Sequence, residues 1–540
     1  MTPVTGTAVE ERPSWEEERP SWEEVVVSFA PVDRRSTGME LIRRANLPLI
    51  MILLFQGVLT WRLSDIANDD EALYIDAGHD LINHVLHGTH LSNYGTYLSG
   101  APAAYPIPAA LLDSLGGLAL VRLFSLILLL LSTVCVYNVG RTVFTRRSGL
   151  CAAFLFSVSG SVLFIGKLAT YDAPCLALIA VSLYLGVCRR GWFSAAACGA
   201  CLALAGVTKY VGAGFAPFVV GIAVVYGLRS GGRAVGRSIG RGVLATSTTT
   251  LMLFAAYRLW GGSISGGLTF TTTGRKALDY QPIGVLMTSV LFDVGLLTAL
   301  ALIGVAVTVD RRTLNRTAVS VLCIAAGAFL PLAQIRIHEF TSLDKHTAFS
   351  ALFLAIPAGY ALEWLFGVNR IVRVSAVILL WLIVIDGQWR SEIQYSWPNS
   401  LLRVVALVQR DPVPGTYVST DGDAARYYSG ATPEIHWSSS SSGYSLFGQG
   451  AGAVVTAIGS NRYAGLVYRT GDNGTFIRGE RMITRYLAGD DRYRLLGRFQ
   501  ESPYVTDVWY VWQRRPVDRL TVSSGSPAVV GHPGTVMGRS

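Results

Sequence analysis

Long apolar segments separated by short polar loops dominate the chain between residues 47 and 387. Each is close to the length of about 17–25 residues that an α-helix needs to cross the hydrocarbon core of a bilayer. The pattern predicts a polytopic α-helical membrane protein with about eleven transmembrane helices. The candidate spans are residues 47–63, 118–140, 149–165, 173–188, 193–208, 211–228, 243–260, 284–309, 317–335, 348–366 and 371–387.

Basic residues are distributed unevenly among the loops. With the N-terminus inside, the cytoplasmic loops carry sixteen Arg residues: Arg43, Arg44, Arg141, Arg146, Arg147, Arg189, Arg190, Arg229, Arg233, Arg237, Arg241, Arg311, Arg312, Arg316, Arg370 and Arg373. The opposite loops carry only six basic residues: Lys167, Lys209, Arg275, Lys276, Arg336 and Lys345. Because cytoplasmic loops are enriched in Lys and Arg, this bias predicts a multi-pass plasma-membrane protein whose loop 64–117 and segment after residue 387 face outward.

Polar patterns replace the apolar runs at both ends of the chain. Residues 1–42 contain a tandem ERPSWEE repeat and too little apolar surface for a core, which predicts a disordered cytoplasmic tail. A transmembrane catalytic domain is expected at residues 43–387. Residues 516–540 are again expected to be a disordered tail.

Between these regions, residues 388–515 have the pattern of a water-soluble fold. Strand-like and helical runs alternate, and the loops are rich in Gly, Ser and Asp. This predicts a small extracytoplasmic α/β domain with a flexible loop at Ser438–Ser442. The strands are expected at Gly415–Thr420, Tyr463–Tyr468 and Asp507–Gln513, with a helix near Gly479–Leu487.

The composition of the chain limits which partners and cofactors can be expected. Only 15% of the residues are charged, against roughly 25% in soluble proteins. The net charge of +9 lies in short loops between apolar runs, which favours anionic lipid over nucleic acid as a partner. The seven Cys residues lie in or beside apolar runs and have neither zinc-site nor disulfide-framework spacing. The sequence contains no Walker A motif and no dinucleotide fingerprint in its proper context, so no nucleotide cofactor is expected.

The loop at residues 64–117 contains seven acidic residues and neither Lys nor Arg. Its periodicity predicts an amphipathic helix over Asp69–Gly88 that lies flat in the membrane interface, with Asn68 or Asp69 as its cap. Asp70 and Glu71 fall in the first turn of this helix. Spacing alone leaves two interpretations open: a solvated helix terminus, or a general base held at membrane depth.

Histidines of the same loop leave a metal site open. Asp76, His79 and Asp80, or His84 and His87, have the spacing of metal ligands on one helix face. The alternative is a polar face of the interfacial helix without any metal.

Other outward loops carry further charged residues close to the apolar runs. Asp172 in the loop Gly166–Pro174 either caps the next helix or faces a water-filled cavity. Lys209, Lys345 and His346 place basic groups at the same depth. Such cations suit a phosphate headgroup, and the alternative is that the lysines snorkel at helix ends.

Three of these segments resemble a known family. They are DDEALYIDAG at residues 69–78, TYDAP at residues 170–174 and TKY at residues 208–210. They resemble the dolichyl-phosphate-mannose–protein mannosyltransferases and the related lipid A aminoarabinose transferases, members of the C-type glycosyltransferase superfamily. The resemblance covers roughly residues 45–370.

The resemblance implies an inverting glycosyltransferase that moves a hexose or pentose from a polyprenyl-phosphate donor to a lipid, glycan or protein acceptor outside the membrane. It implies Asp70 as the residue that activates the acceptor, Glu71 as its partner and Asp172 as the supporting carboxylate. It also implies Lys345, Lys209 and His346 as contacts of the donor phosphate or, for His346, of a metal. A divalent metal at Asp70, Glu71 and Asp172 stays open.

One segment departs from the family pattern. Relatives such as the aminoarabinose transferase carry an acidic-Lys-Pro-Pro element late in the first loop, where this chain has SGAPAAYPIPA at residues 99–109. A metal ligand and a phosphate contact expected there have no counterpart. The competing interpretation of the whole chain is a lipid or sugar transporter or flippase, although the two halves show no internal repeat of the kind common in transporters.

Overall fold

The computed structural model describes residues 38–61, 65–96, 98–228, 233–274, 281–311, 313–340, 342–395, 400–430, 432, 434–439, 446, 451–470, 480–502 and 505–516. The ERPSWEE repeat and nearly all of both predicted tails lie outside these residues. The same holds for Arg229, Arg275, Lys276 and Arg312, and for most of the predicted flexible loop at Ser438–Ser442. The chain divides into compact units at residues 1–48 and 49–540, and the described part of the first is the start of one helix.

Helices make up most of the described chain. They are α1 (Gly38–Thr60), α2 (Asp69–His87), α3 (Pro106–Val143), α4 (Arg146–Ser157), α5 (Gly160–Gly166), α6 (Asp172–Cys188), α7 (Trp192–Thr208), α8 (Ala216–Gly227), α9 (Arg233–Thr269), α10 (Ile283–Asp310), α11 (Leu314–Ile337), α12 (Leu343–Val368), α13 (Arg370–Tyr395), α14 (Ser400–Arg410), α15 (Gly422–Ser429), α16 (Ala451–Gly459) and α17 (Glu480–Ala488). Short 3-10 segments lie at Tyr94–Thr96 and Tyr210–Phe215.

The described residues of the predicted apolar runs are mostly helical, so the polytopic helical fold is confirmed; the run at 149–165 is divided between α4 and α5, and the run at 211–228 begins in a 3-10 segment. Among the described residues, six helices are long and apolar enough to span a bilayer, or seven if α4 and α5, bent by 66°, form one span. Three more apolar helices are shorter, at Asn46–Thr60, Asp172–Cys188 and Trp192–Thr208. The count of about eleven crossings stays a prediction.

The centre of the bundle is α12, which packs against α4, α10 and α11 and is buried along most of its length. Small residues bring these helices close together. A Cβ atom on Gly359 would lie 2.5 Å from the backbone nitrogen of Ala152, so a larger residue would force α12 away from α4. Close approach through small residues is how helices pack tightly within a bilayer, where lipid is as apolar as the side chains.

A kink in α3 separates its membrane part from the loop helix that precedes it. Gly117 has φ +66°, a conformation that L side chains rarely adopt. The predicted span begins at residue 118, directly after this kink. The segment before the kink packs against α2 and buries Ala109 and Ala110 completely.

The last helix of the bundle continues beyond the predicted end of the span. The sequence predicts that the final span ends at residue 387, whereas α13 runs to Tyr395. This extension carries the charged residues Arg390 and Glu392. A polar end of a helix has no apolar signal, which explains why hydropathy places the boundary too early.

The described residues after α13 contain a small mixed sheet. Five strands, β1 (Gly415–Ser419), β2 (Ile435–Trp437), β3 (Gly465–Thr470), β4 (Tyr493–Ser502) and β5 (Val505–Arg514), are arranged in the order β2-β1-β3-β5-β4. The first three are parallel, and β5 is antiparallel to β3 and β4. β1, β3, β5 and α17 match the predicted elements, and the sheet that these strands form is small and mixed, which the sequence did not predict.

Candidate active site

The first turn of α2 is fixed by a reciprocal cap. The Oδ1 of Asn68 accepts a hydrogen bond from the backbone nitrogen of Asp70 at 2.8 Å. The carboxylate of Glu71 accepts one from the backbone nitrogen of Asn68, also at 2.8 Å. The predicted cap is therefore Asn68, and this capping box fixes where the Asp70 and Glu71 side chains start.

The Nζ of Lys345, at the start of α12, donates a hydrogen bond to the carboxylate of Asp70. The side chain of Asp70 is 38% exposed and that of Lys345 only 11%. The carboxylate is therefore the more accessible member of the pair.

The side chain of Glu71 is completely buried and contacts Arg122 instead of Lys345. Its two oxygens accept hydrogen bonds from Arg122 Nε at 2.8 Å and Arg122 Nη2 at 2.6 Å, and one of them also accepts from the backbone nitrogen of Ala169 at 2.6 Å. Arg122, equally buried, also donates to the carbonyl oxygens of Asp65 and Ile66 at 2.6 and 2.9 Å. This network ties the loop before α2 to α3 and to the loop before α6.

A second buried ion pair joins α6 to the end of α7. The Nζ of Lys209 donates to Asp172 Oδ1 at 2.5 Å, and Thr170 Oγ1 donates to Asp172 Oδ2 at 3.0 Å. Both charged side chains are nearly inaccessible, with 6% and 2% exposure. The carboxylate of Asp172 is thus bound by Lys209 and Thr170, and it makes no cap at the start of α6.

Aromatic rings connect the two ion pairs. Tyr74 lies one turn after Asp70, Tyr171 directly precedes Asp172, and their ring centroids are 4.4 Å apart. The Nζ of Lys209 lies 5.3 Å from the centroid of Tyr171. Burial, followed by the nearby Asp70 carboxylate, raises the pKa of the Tyr74 hydroxyl well above its usual value, so this hydroxyl stays protonated.

The structure thus brings together four of the predicted site residues: Asp70, Asp172, Lys209 and Lys345. Lys345 is close enough to Asp172 to interact with it electrostatically as well as with Asp70. His346 follows Lys345 on α12, is half-buried, and its ring lies edge-on to Phe349 at 6.3 Å. Two carboxylates and two ammonium groups therefore lie side by side at one end of the bundle.

The described residues do not fit the metal sites left open by the sequence. No group of three or more His, Cys, Asp or Glu side chains within the described ranges is arranged to hold a metal ion. Both oxygens of Glu71 are already occupied by Arg122, and Asp70 and Asp172 each hold a lysine.

Two of the histidine candidates for a metal, His79 and His84, have other partners. His79 Nε2 lies 3.0 Å from Asp113 Oδ2, and His84 Nδ1 lies 2.6 Å from the carbonyl oxygen of Thr89. Asp80 pairs with an arginine of the C-terminal domain.

Arg122 and Asp293 are charged residues inside the apolar runs 118–140 and 284–309. The structure pairs Arg122 with Glu71 and brings Asp293 Oδ1 within 3.3 Å of Arg390 Nη1 on α13. It also pairs the buried Lys167 with Glu392 at 2.5 Å. A charge inside an apolar run was the available signal, since such a charge needs a partner.

A family comparison bears directly on these residues. The model of the family described as dolichyl-phosphate-mannose-protein mannosyltransferase matches residues 50–255, which include Asp70, Glu71, Asp172 and Lys209. The predicted family resemblance is confirmed. With it, the predicted enzyme class is confirmed, a membrane glycosyltransferase that takes its sugar from a polyprenyl phosphate. Among curated proteins, no sequence matches this mannosyltransferase-like chain.

Solved structures of similar fold extend over most of the chain. ArnT from Cupriavidus metallidurans bound to undecaprenyl phosphate is similar with a TM-score of 0.56 and 13% identity, over 88% of this chain and 98% of that one. The Archaeoglobus fulgidus oligosaccharyltransferase tethered to an acceptor peptide is similar with a TM-score of 0.53 and 12% identity, over 89% and 76%. The expected C-type glycosyltransferase fold is thereby confirmed.

A partly buried aspartate beside the mannosyltransferase-like site has a raised pKa. Asp76 Oδ2 lies 3.7 Å from Arg426 Nε, and the carboxylates of Asp423, Asp80 and Asp113 surround it. Burial raises the pKa of Asp76 to about 7, and Arg426 offsets this only partly. Between its usual pKa of 3.8 and about pH 7, Asp76 keeps a proton in the folded protein that the unfolded chain releases, so stability falls over this range and levels off above it.

Asp76→Asn is expected to remove this loss, because Asn stays neutral. The melting temperature of the variant relative to the parent should increase from pH 5 to pH 8, measured on the purified protein in detergent. Asp491→Asn, at an exposed position of the C-terminal domain, is the matched control. Equal pH dependence of the Asp76 and Asp491 variants would contradict the assignment.

Proposed function

We propose that this chain transfers a sugar from a polyprenyl-phosphate donor to an acceptor hydroxyl or phosphate on the extracytoplasmic side of the plasma membrane, with inversion at the anomeric carbon. The observation that carries the proposal is the Asp70–Lys345 pair at the capped start of α2. A base and a phosphate-binding cation are the two groups that this reaction needs, and here they are in contact.

The donor class is supported by the family match and by the similar structures. ArnT from Cupriavidus metallidurans has been solved with undecaprenyl phosphate, and the archaeal oligosaccharyltransferase AglB with dolichol-phosphate. In this chain Lys345 and Lys209 are the cations that would hold a lipid phosphate at the end of the bundle. A phosphate arriving there would compete with Asp70 and Asp172 for these ammonium groups.

The proposed reaction is a single displacement. The acceptor oxygen attacks the anomeric carbon, its proton passes to the carboxylate of Asp70, and the bond from that carbon to the phosphate oxygen breaks. The lipid phosphate leaves with one additional negative charge, which Lys345 and Lys209 stabilise. Attack opposite to the leaving phosphate inverts the configuration of the anomeric carbon.

Glu71 and Asp172 are proposed to act indirectly. Both oxygens of Glu71 are bound by Arg122, so Glu71 holds the loop before α2 and cannot accept the acceptor's proton without breaking that pair. Asp172 orients Lys209. His346 is proposed as a further contact of the donor phosphate because it follows Lys345 on α12.

The direct test uses the purified full chain in proteoliposomes with sugar-labelled polyprenyl-phosphate mannose and a panel of other polyprenyl-phosphate sugars. Extracted envelope material of the producing cell supplies the acceptor. Transfer of label with release of free polyprenyl phosphate supports the proposal. Movement of intact labelled lipid across the bilayer without cleavage would instead establish the transporter or flippase.

We further propose that the bundle crosses the membrane about eleven times, counting the shorter helices and α9 with the long spans. The Arg-rich loops then face the cytoplasm, and α2 and the C-terminal domain face outward. Cysteine introduced at His90, exposed after α2, should react with an impermeant maleimide in intact cells, whereas cysteine at Arg190 should react only after permeabilisation. The reverse pattern would refute the proposed orientation.

A further inference from the structure

The C-terminal domain contacts the start of α2 through its own hydrophobic core. Ile66, Ala67 and Ala72, which flank Asp70, are buried together with Val404, Trp509 and other residues of that domain. Ala72 is completely inaccessible. The segment that carries the proposed base is therefore packed on one side by the soluble domain, whereas its other contacts are with the bundle.

Polar contacts from α15 hold the residues just before Asp70. The hydroxyl oxygen of Tyr428 accepts a hydrogen bond from the backbone nitrogen of Ala67 at 2.6 Å. The backbone nitrogen of Ala424 donates to Asp69 Oδ1 at 3.2 Å. These contacts fix Ala67 and Asp69, which lie three positions and one position before Asp70.

The middle of α2 is held by the same short helix. Arg426 Nη2 donates to both oxygens of Asp80 at 2.8 Å, and the hydroxyl of Tyr427 donates to Asp113 Oδ1 at 2.7 Å on α3. Tyr94 adds its hydroxyl to the Arg426–Asp80 pair. Three consecutive residues of α15 thus contact the loop before α2, α2 itself and α3.

We infer that α15, through Arg426, Tyr427 and Tyr428, positions the Asp70 carboxylate against the bundle, an inference that rests on the proposed function. A general base must lie within hydrogen-bond distance of the proton it removes, so a displacement of about 1 Å can cost on the order of a hundredfold in rate. On this inference Arg426, Tyr427 and Tyr428 act on the chemistry through α2, the loop before it and α3, which they contact.

The test separates positioning from folding. Arg426→Ala, Arg426→Lys and Tyr427→Phe are compared with the full-length parent by hydrogen exchange of α2 and by steady-state transfer from the active polyprenyl-phosphate sugar. Arg492→Ala is the matched control, because Arg492 lies in the same domain and its guanidinium donates to Asp490 and to the carbonyl oxygen of Gly459, both within that domain.

Arg426→Ala is expected to speed amide exchange across Asp69–His87 and to lower kcat at least tenfold, with the donor KM changed less than twofold and the melting temperature preserved. Arg426→Lys should recover part of kcat because one ammonium can still reach Asp80, and Tyr427→Phe should lower kcat less than Arg426→Ala. Arg492→Ala should match the parent.

Unchanged exchange in α2 would overturn the inference, and so would faster exchange with an unchanged kcat. If Arg426→Ala fails to fold, Tyr427→Phe, which removes only one hydroxyl, takes its place. The inference is then judged by the exchange rate of α2 and by kcat in that variant. Failure of the proposed function would give a different result, either full transfer by Asp70→Asn or no transfer by the parent. In both cases the hydrogen-exchange comparison of α2 can still be made.

Discussion

Asp70→Asn is expected to lower sugar transfer by about 10²–10⁴-fold, the contribution typical of a general base, and so to reduce it to background in a standard assay. Asn keeps the size of Asp70 and its place after the Asn68 cap, but its amide cannot take the acceptor's proton. The measurement is transfer of label from the polyprenyl-phosphate sugar by purified protein. Membrane insertion and the melting temperature should remain close to those of the parent.

The matched control for this variant is Asp386→Asn. Asp386 is also a half-exposed carboxylate paired with a basic residue, Arg390, but the pair lies along α13. Its replacement should leave transfer within about twofold, since exposed ion pairs contribute little. Full activity of Asp70→Asn would remove the proposed mechanism, and an equal loss in both variants would show a general effect of lost charge.

Arg122→Gln is expected to cost about 3–5 kcal/mol of stability, because it leaves the carboxylate of Glu71 buried without its partner. Both side chains of this pair are completely inaccessible, so water cannot replace the lost hydrogen bonds. Transfer activity should be lost as well, since Arg122 also holds the carbonyl oxygens of Asp65 and Ile66 ahead of α2. Unfolding by denaturing detergent measures the free energy.

A double variant tests whether the lost stability comes from the unpaired charge of Glu71. Glu71→Gln combined with Arg122→Gln removes both charges, so it should regain a large part of the stability lost in the single variant. Arg492→Gln, which removes a half-exposed guanidinium paired with Asp490, should have the stability of the parent. A single Arg122→Gln variant as stable as the parent would contradict the buried pair.

Much of the fold follows from local sequence. Apolar runs of membrane length fix where helices form, and the alternation of strand-like and helical runs after residue 387 fixes the small domain. The start of α2 was predictable because Asn68 precedes a run of acidic residues, which suits the positive end of a helix. These features depend on neighbours along the chain, which a sequence displays directly.

The pairing of charged residues was harder to predict from the sequence. The sequence predicted Lys345 and Lys209 as phosphate contacts, but their partners Asp70 and Asp172 lie 275 and 37 positions away. Glu71 was assigned to the chemistry beside Asp70, whereas Arg122, 51 positions later, binds it. Spacing reveals which face of one helix a residue occupies, but it does not reveal which other helix packs there.

The most direct measurement for the central claim is a structure of the full chain with undecaprenyl phosphate bound. The account predicts that the lipid phosphate lies within hydrogen-bond distance of Lys345 Nζ or Lys209 Nζ, with the carboxylate of Asp70 facing the position of the transferred sugar. A phosphate at the opposite end of the bundle, among the arginines near Arg190 and Arg241, would contradict it.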